Sequence, residues 1–285
     1  MRGWPLVAVL LTVLLVPFVP VHAGAGDGGY PGAFLQLATG ARPAGMGGAY
    51  LGISDDGAAS LYNPSGVATI PRPIISSAYR AMQLDRTLGY VAALFPVQGD
   101  AALGLSWLYA GSGTVAERDA DGVVTGNDFY LNQHQFSIIF AKRFERYISV
   151  GADFSFLLAR FPEVEANSVG FDLGAMLYVD QLINREKRDL LPIQDIKIGL
   201  TVKNLAKKLS WNSEKYNLVR TTNGVGKVQD DTFPIEVGLG GSARFFDRKL
   251  LLDVDVMKNE KQDPVARLGG EYFVTPRFAL RSGYG

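Results

Sequence analysis

A chain of 285 residues with 28 basic and 28 acidic side chains has no net charge with which to court a polyanion, so a nucleic-acid-binding surface is excluded. The absence of cysteine removes disulfide-stapled folds, thiol chemistry and cysteine-bound zinc. Glycine is plentiful at 33 residues while charged residues make up only 20%, and no stretch beyond the amino terminus is long and apolar enough for a membrane helix, so membrane residence must come from strands.

The first element is an export signal. Arg2 gives a positive start, Leu6 to Val16 form an apolar run broken only by Thr12, and Val21-His22-Ala23 places small residues where a signal peptidase reads. Pro17 and Pro20 end the run before it can anchor, so residues 1–23 are expected to be a cleaved signal peptide.

Residues 24–73 contain the densest motif, Gly40-Ala41-Arg42-Pro43-Ala44-Gly45-Met46-Gly47-Gly48-Ala49-Tyr50, followed by Ser54-Asp55-Asp56-Gly57-Ala58 and Tyr62-Asn63-Pro64-Ser65-Gly66-Val67. It is too rich in glycine and alanine for an ordinary amphipathic helix, and no Gly-Lys-Ser/Thr follows to make a phosphate loop. Its chemistry is close packing and turning, with Asn63-Pro64-Ser65-Gly66 a turn signal set by fixed and permissive φ angles.

From residue 74 apolar side chains alternate with small or charged ones. Ile148, Val150, Ala152, Phe154, Phe156 and Leu158 interleave with Ser149, Gly151, Asp153 and Ser155, which on a strand puts oil on one face and polar groups on the other. About eleven strands are predicted, at 74–82, 86–95, 100–110, 129–141, 146–158, 168–179, 195–203, 233–245, 248–257, 266–274 and 277–284. Short and long connections alternate, as a two-sided barrel requires. The exception is Asp180 to Gln194, long where a short turn is due: either an excursion with a helical turn or the sign of a miscounted strand. Gly89, Gly104, Gly151, Gly170, Gly174, Gly199, Gly238 and Gly240 are read as lying on the polar face, leaving room in a lumen. The expected fold is all-β, a transmembrane antiparallel β-barrel with an outward apolar face and aromatic residues near the strand ends.

The motif over 40–67 carries a resemblance. Gly-Ala-Arg-x-x-Gly-Met-Gly-Gly-Ala, then Asp-Asp, then Tyr-Asn-Pro-x-Gly is similar to the PorV/PorQ family, outer-membrane barrels within the FadL superfamily of long-chain fatty-acid channels. Arg277 to Tyr284 is similar to a late strand of that family, and Ser65 stands where the family commonly has alanine. The resemblance implies that Phe34 to Val67 forms a hatch inside a barrel over 74–285. It also implies about 14 strands. Only eleven are read here, with no terminal aromatic residue at Gly285, so carboxy-terminal truncation is expected. Two functions follow from the likeness: a passive conduit for hydrophobic small molecules, or an accessory of type IX protein secretion that handles cargo. The partners implied are outer-membrane lipid, a hydrophobic small-molecule ligand and, under the second reading, secretion-system proteins. No cofactor is implied.

Catalysis is not expected. His134 and Ser137 lie three apart on a strand and so face opposite ways, and no second histidine or cysteine is present in the exported chain to complete a metal site or a nucleophilic pair. Asp153, Asp172, Glu236, Asp253 and Asp255 share the polar face with Lys197, Lys203, Arg244, Arg267, Glu271 and Arg281. Charges of both signs there neutralise one another, hold the plug or line a conduit. The candidate ligand-binding or plug residues are therefore Arg42, Asn63, Pro64, Asp153, Asp172, Glu236, Asp253 and Asp255.

Overall fold

The computed structural model describes residues 31–119, 121–160, 164–183, 193–212 and 228–285; the expected signal peptide lies outside them. The strands are β1 (Ile74–Ala81), β2 (Thr87–Val97), β3 (Ala101–Gly111), β4 (Val115–Arg118), β5 (Val124–Phe129), β6 (Asn132–Phe144), β7 (Ile148–Arg160), β8 (Glu165–Tyr178), β9 (Ile193–Leu205), β10 (Lys208–Asn212), β11 (Val228–Thr232), β12 (Glu236–Phe245), β13 (Leu250–Asn259), β14 (Gln262–Thr275) and β15 (Phe278–Tyr284). Eleven of them follow one antiparallel path, β1-β2-β3-β6-β7-β8-β9-β12-β13-β14-β15. All eleven predicted strands are present. Because neighbours alternate in direction, β1 and β15 run the same way, and among the described residues no ladder joins them.

The two long connections are structured, which the sequence reading did not foresee. β4 and β5 pair as a separate hairpin, and β10 pairs with β11 and with the first residues of β8. Phe129, read as the start of a barrel strand, closes the β4–β5 hairpin instead. β8 pairs directly with β9, so no barrel strand intervenes between them; the segment at 180–194 begins within a 3-10 turn at Val179–Leu182, and its residues 184–192 lie outside the described residues.

The alternation along the strands decides which way the wall faces. On β7, Ser149, Asp153 and Ser155 are at most 2% exposed, whereas Val150, Phe154 and Phe156 are 38–40% exposed. The same inversion of a soluble protein's pattern recurs with Leu105, Ile138, Leu200, Leu239 and Val256 outward and Ser106, Ser137, Thr201, Ser242, Asp253 and Asp255 inward. In water so much outward aliphatic and aromatic surface would be unfavourable at about 25 cal/mol per Å²; in hydrocarbon it is the stable arrangement. The fold is a transmembrane β-barrel wall around an amino-terminal plug. Among the described residues no helix is long and apolar enough to cross a membrane.

At the rim of β3 and β6 the outward face ends in rings. Trp107 stacks on His134 with centroids 6.0 Å apart and donates its indole N–H to Nδ1 at 3.2 Å, while Ser137 points inward and is buried. This places the histidine in an interfacial aromatic group of the kind that marks a membrane boundary.

Inside, the plug supplies the apolar centre. Met46, Tyr50, Leu51, Ile53, Ala58 and Tyr62 cluster with Leu251 and Met257 of the wall, and Ala59, Val67, Ala68 and Ile70 pack on Leu94, Ala102, Ile139 and Ala141. Full burial of each larger side chain contributes about 1.5–3 kcal/mol.

Candidate functional site

The plug is held to the wall on two sides. On the first, Asn63 caps the 3-10 turn Pro64–Thr69, its Oδ1 accepting from the Ser65 backbone N–H at 3.2 Å and from the Ser65 hydroxyl at 2.6 Å. Pro64 fits this position because the first turn leaves its missing N–H unneeded. The Asn63 amide then donates outward, to the Leu51 carbonyl of the plug and to the Ala175 carbonyl of β8, both at 3.2 Å. The wall makes room with glycine: a Cβ at Gly151 would overlap the Pro64 carbonyl group, one at Gly174 the Asn63 side chain, and one at Gly199 the Leu51 carbonyl. Ser149 donates to the Ser65 carbonyl at 3.0 Å and completes the seam.

On the second side the wall's carboxylates grip plug backbone and side chain. Asp255 Oδ2 accepts the N–H groups of Tyr50 at 2.6 Å and Leu51 at 3.0 Å, and Ser242 donates to the Gly52 carbonyl at 2.8 Å. Arg42 forks onto Glu271, Nε to Oε1 at 3.1 Å and Nη2 to Oε2 at 2.9 Å, and its Nη1 reaches the Tyr50 hydroxyl at 2.8 Å and Asp55. Burial alone would ease the proton off Arg42, but the Tyr50 phenol and the carboxylates of Asp55 and Glu271 outweigh it and hold the guanidinium charged, above its ordinary value. Asp253 lies fully buried beside Gly52, and neither of its carboxylate oxygens has a hydrogen-bond partner among the described residues.

Between plug and wall, toward the end with the long connections, is a cavity of about 60 Å³. Its charged lining is Asp153, Asp172, Glu236, Lys203, Lys207 and Arg267, and its apolar lining includes Leu35, Leu37, Leu61, Phe233 and Met257. Asp153 and Asp172 are cross-strand neighbours on β7 and β8, as are Glu236 and Lys203 on β12 and β9. Among the described residues none of these six charges forms an ion pair with another; Lys203 donates to the Leu61 carbonyl at 2.6 Å, Lys207 to Gln135 Oε1 at 2.7 Å, and Asp172 accepts from the Asn204 N–H at 2.8 Å. Lys207, in the turn after β9, is 1% exposed; burial pulls its pKa below the usual lysine range, opposed by Asp172 and Asp153.

The predicted residues thus separate into two groups. Arg42, Asn63, Pro64, Asp253 and Asp255 lie at the plug–wall contact, and Asp153, Asp172 and Glu236 line the cavity. Lys207, Gln135 and Phe233 escaped the sequence reading. Lys207 lies beyond the predicted strand 195–203, in the long connection 204–232; only the strand parity shared by Gln135 and Ser137 could have flagged an inward polar group. Gly89 was assigned to the inner face and is corrected: it alternates with the buried Leu88 and Tyr90 and faces outward beside Tyr109.

No family model matches the chain, and neither does any curated protein. In fold it is similar to the crystal structure of the toluene transporter TodX of Pseudomonas putida, at 12% identity and TM-score 0.54, with 86% of this chain and 82% of that one covered. It is likewise similar to the toluene transporter TbuX of Ralstonia pickettii, at 14% identity and TM-score 0.54, over 86% and 85% of the two chains. At these identities the likeness shows a shared fold.

Proposed function

We propose that this chain is an outer-membrane β-barrel of the PorV/PorQ type that acts as a passive conduit for hydrophobic small molecules. The supporting observation is a lipid-facing wall whose interior is stoppered by a plug pinned on both sides, in a fold that two toluene transporters share over most of their length. The cavity left beside the plug is too small for a ring: a pocket that takes benzene measures about 150 Å³. The described state is therefore closed, and passage requires part of the lining to move. The stretch Pro31–Thr39 supplies one side of that lining. It holds to the plug where the Thr39 N–H donates to the Tyr62 hydroxyl at 3.0 Å, to the wall where Arg80 donates to the Ala38 carbonyl at 3.2 Å, and by the packing of Phe34 and Leu35 beside Leu157 and Phe233.

Nothing in the described wall or plug favours the cargo-handling alternative, which rested on the resemblance alone. Liposomes containing the protein should take up labelled toluene or fatty acid faster than empty vesicles; uptake no faster than the control would overturn the conduit reading.

A further inference from the structure

We infer that the ligand this interior admits carries an O–H donor on its hydrocarbon frame, taken by the Asp153 carboxylate, so that hydroxylated monoaromatics and alcohols are preferred to bare hydrocarbons. The inference rests on the conduit reading and specifies its substrate class. Of the cavity's other charged groups, both lysines donate to neutral oxygens, Asp172 accepts a backbone N–H, Arg267 donates to the Gly48 carbonyl at 3.5 Å, and Glu236 is only half-buried and keeps access to water. Asp153 is 2% exposed, lines the cavity, and its Oδ1 has no hydrogen-bond partner among the described residues. The unfilled valence at this wall is thus an acceptor on a carboxylate, the kind whose hydrogen bonds are strongest and whose desolvation is most costly.

Ligand classes separate on this point. A bare hydrocarbon would dry the carboxylate and return nothing. An anion would meet Asp153, Asp172 and Glu236 set against Lys203, Lys207 and Arg267, a lining with no net charge to attract it. Once the lining has moved to open the cavity, a neutral hydroxyl compound places its donor on Asp153 and its frame against Leu61, Phe233 and Met257. Sites built around a buried polar group reject analogues that leave the group unpaired far more strongly than they reject changes in apolar size.

The test uses the full chain in detergent, with 19F resonances of 4-fluorophenol, 4-fluorotoluene and 4-fluorobenzoate titrated separately at pH 7 against empty micelles. The phenol is expected to bind about tenfold more tightly than the toluene, the worth of one charge-assisted hydrogen bond. In Asp153→Ala that ratio should fall to about one, and Asp153→Asn, which keeps the acceptor oxygen, should retain part of the preference should the alanine variant fail to fold. Equal or tighter binding of 4-fluorotoluene, tightest binding of 4-fluorobenzoate, or an unchanged ratio in a folded Asp153 variant would overturn the inference while leaving a conduit in place. Failure of all three probes to bind would overturn both.

Discussion

Arg42 and Glu271, 229 positions apart in the chain, close an ion pair between plug and wall, with two parallel N–H···O contacts onto a carboxylate that has no exposed surface. Arg281 of β15 also donates to Glu271, so one glutamate ties the plug to β14 and β15 together. Removing one partner of a buried pair leaves the other uncompensated, at about 3–5 kcal/mol. Because Arg281 remains, Arg42→Ala should cost less, about 2 kcal/mol, read as a lower temperature for the loss of heat-modifiable gel migration. Arg42→Lys, which keeps the charge and loses the fork, should fall between the two.

Asn63 joins plug to plug and plug to wall with one amide. Asn63→Ala strands the Leu51 and Ala175 carbonyls and the Ser65 donors, with a penalty of about 1–3 kcal/mol for each buried group left unmet. The wall's own ladder is untouched. Replacing Asn63 and Pro64 together should therefore raise the permeability of liposomes to small solutes while the barrel keeps its heat-modifiable migration; loss of that migration would show that the seam serves folding instead.

Two wall glycines make opposite forecasts. A Cβ at Gly174 would collide with Asn63 and Pro64, whereas one at Gly241 would meet only the Lys197 carbonyl at 3.9 Å. Gly174→Ala should dislodge the seam and mimic the Asn63 variant, and Gly241→Ala should behave as wild type in the same permeability assay.

Tyr62 shares two contacts with Thr39, accepting from its N–H and donating to its carbonyl at 3.2 Å. Burial pushes this phenol up to about 12, opposed by the Thr39 contact. The folded state keeps a proton that the unfolded chain gives up near 10, so this contribution is complete below about pH 10 and is lost as the pH rises through 12. Absorbance at 295 nm should show a component titrating near 12, and Tyr62→Phe should remove it.

How much of this was legible beforehand follows from where the period-2 signal is strong. β7, β8 and β9 alternate apolar with small or charged residues because one face meets lipid and the other meets glycine-packed plug, and they were found with the correct inward parity. On β2 the signal fails, since Leu88, Tyr90 and Leu94 pack inward on apolar neighbours while Val91 and Phe95 face out; oil on both faces hid the parity and misplaced Gly89. The hairpin β4–β5 is short and lies in a connection where no buried face imposes an alternation, and β10 turns Leu209 and Trp211 toward the core over a run of only five residues, too short to stand out as a period. The carboxylates were read as inward, but which grip the plug and which face the cavity depends on contacts between residues some 200 positions apart, as in Asp255 with Tyr50, and no local pattern encodes that.

The absence of cysteine permits the most direct test of the outward face, because single cysteines can be introduced one at a time. Nitroxides attached at Ile138→Cys, Leu200→Cys and Leu239→Cys in liposomes should be relaxed strongly by dissolved oxygen and weakly by a water-soluble nickel complex, as expected of groups in hydrocarbon. Strong relaxation by nickel at all three, with the protein remaining in solution when detergent and lipid are withdrawn, would contradict a wall that stands in a membrane.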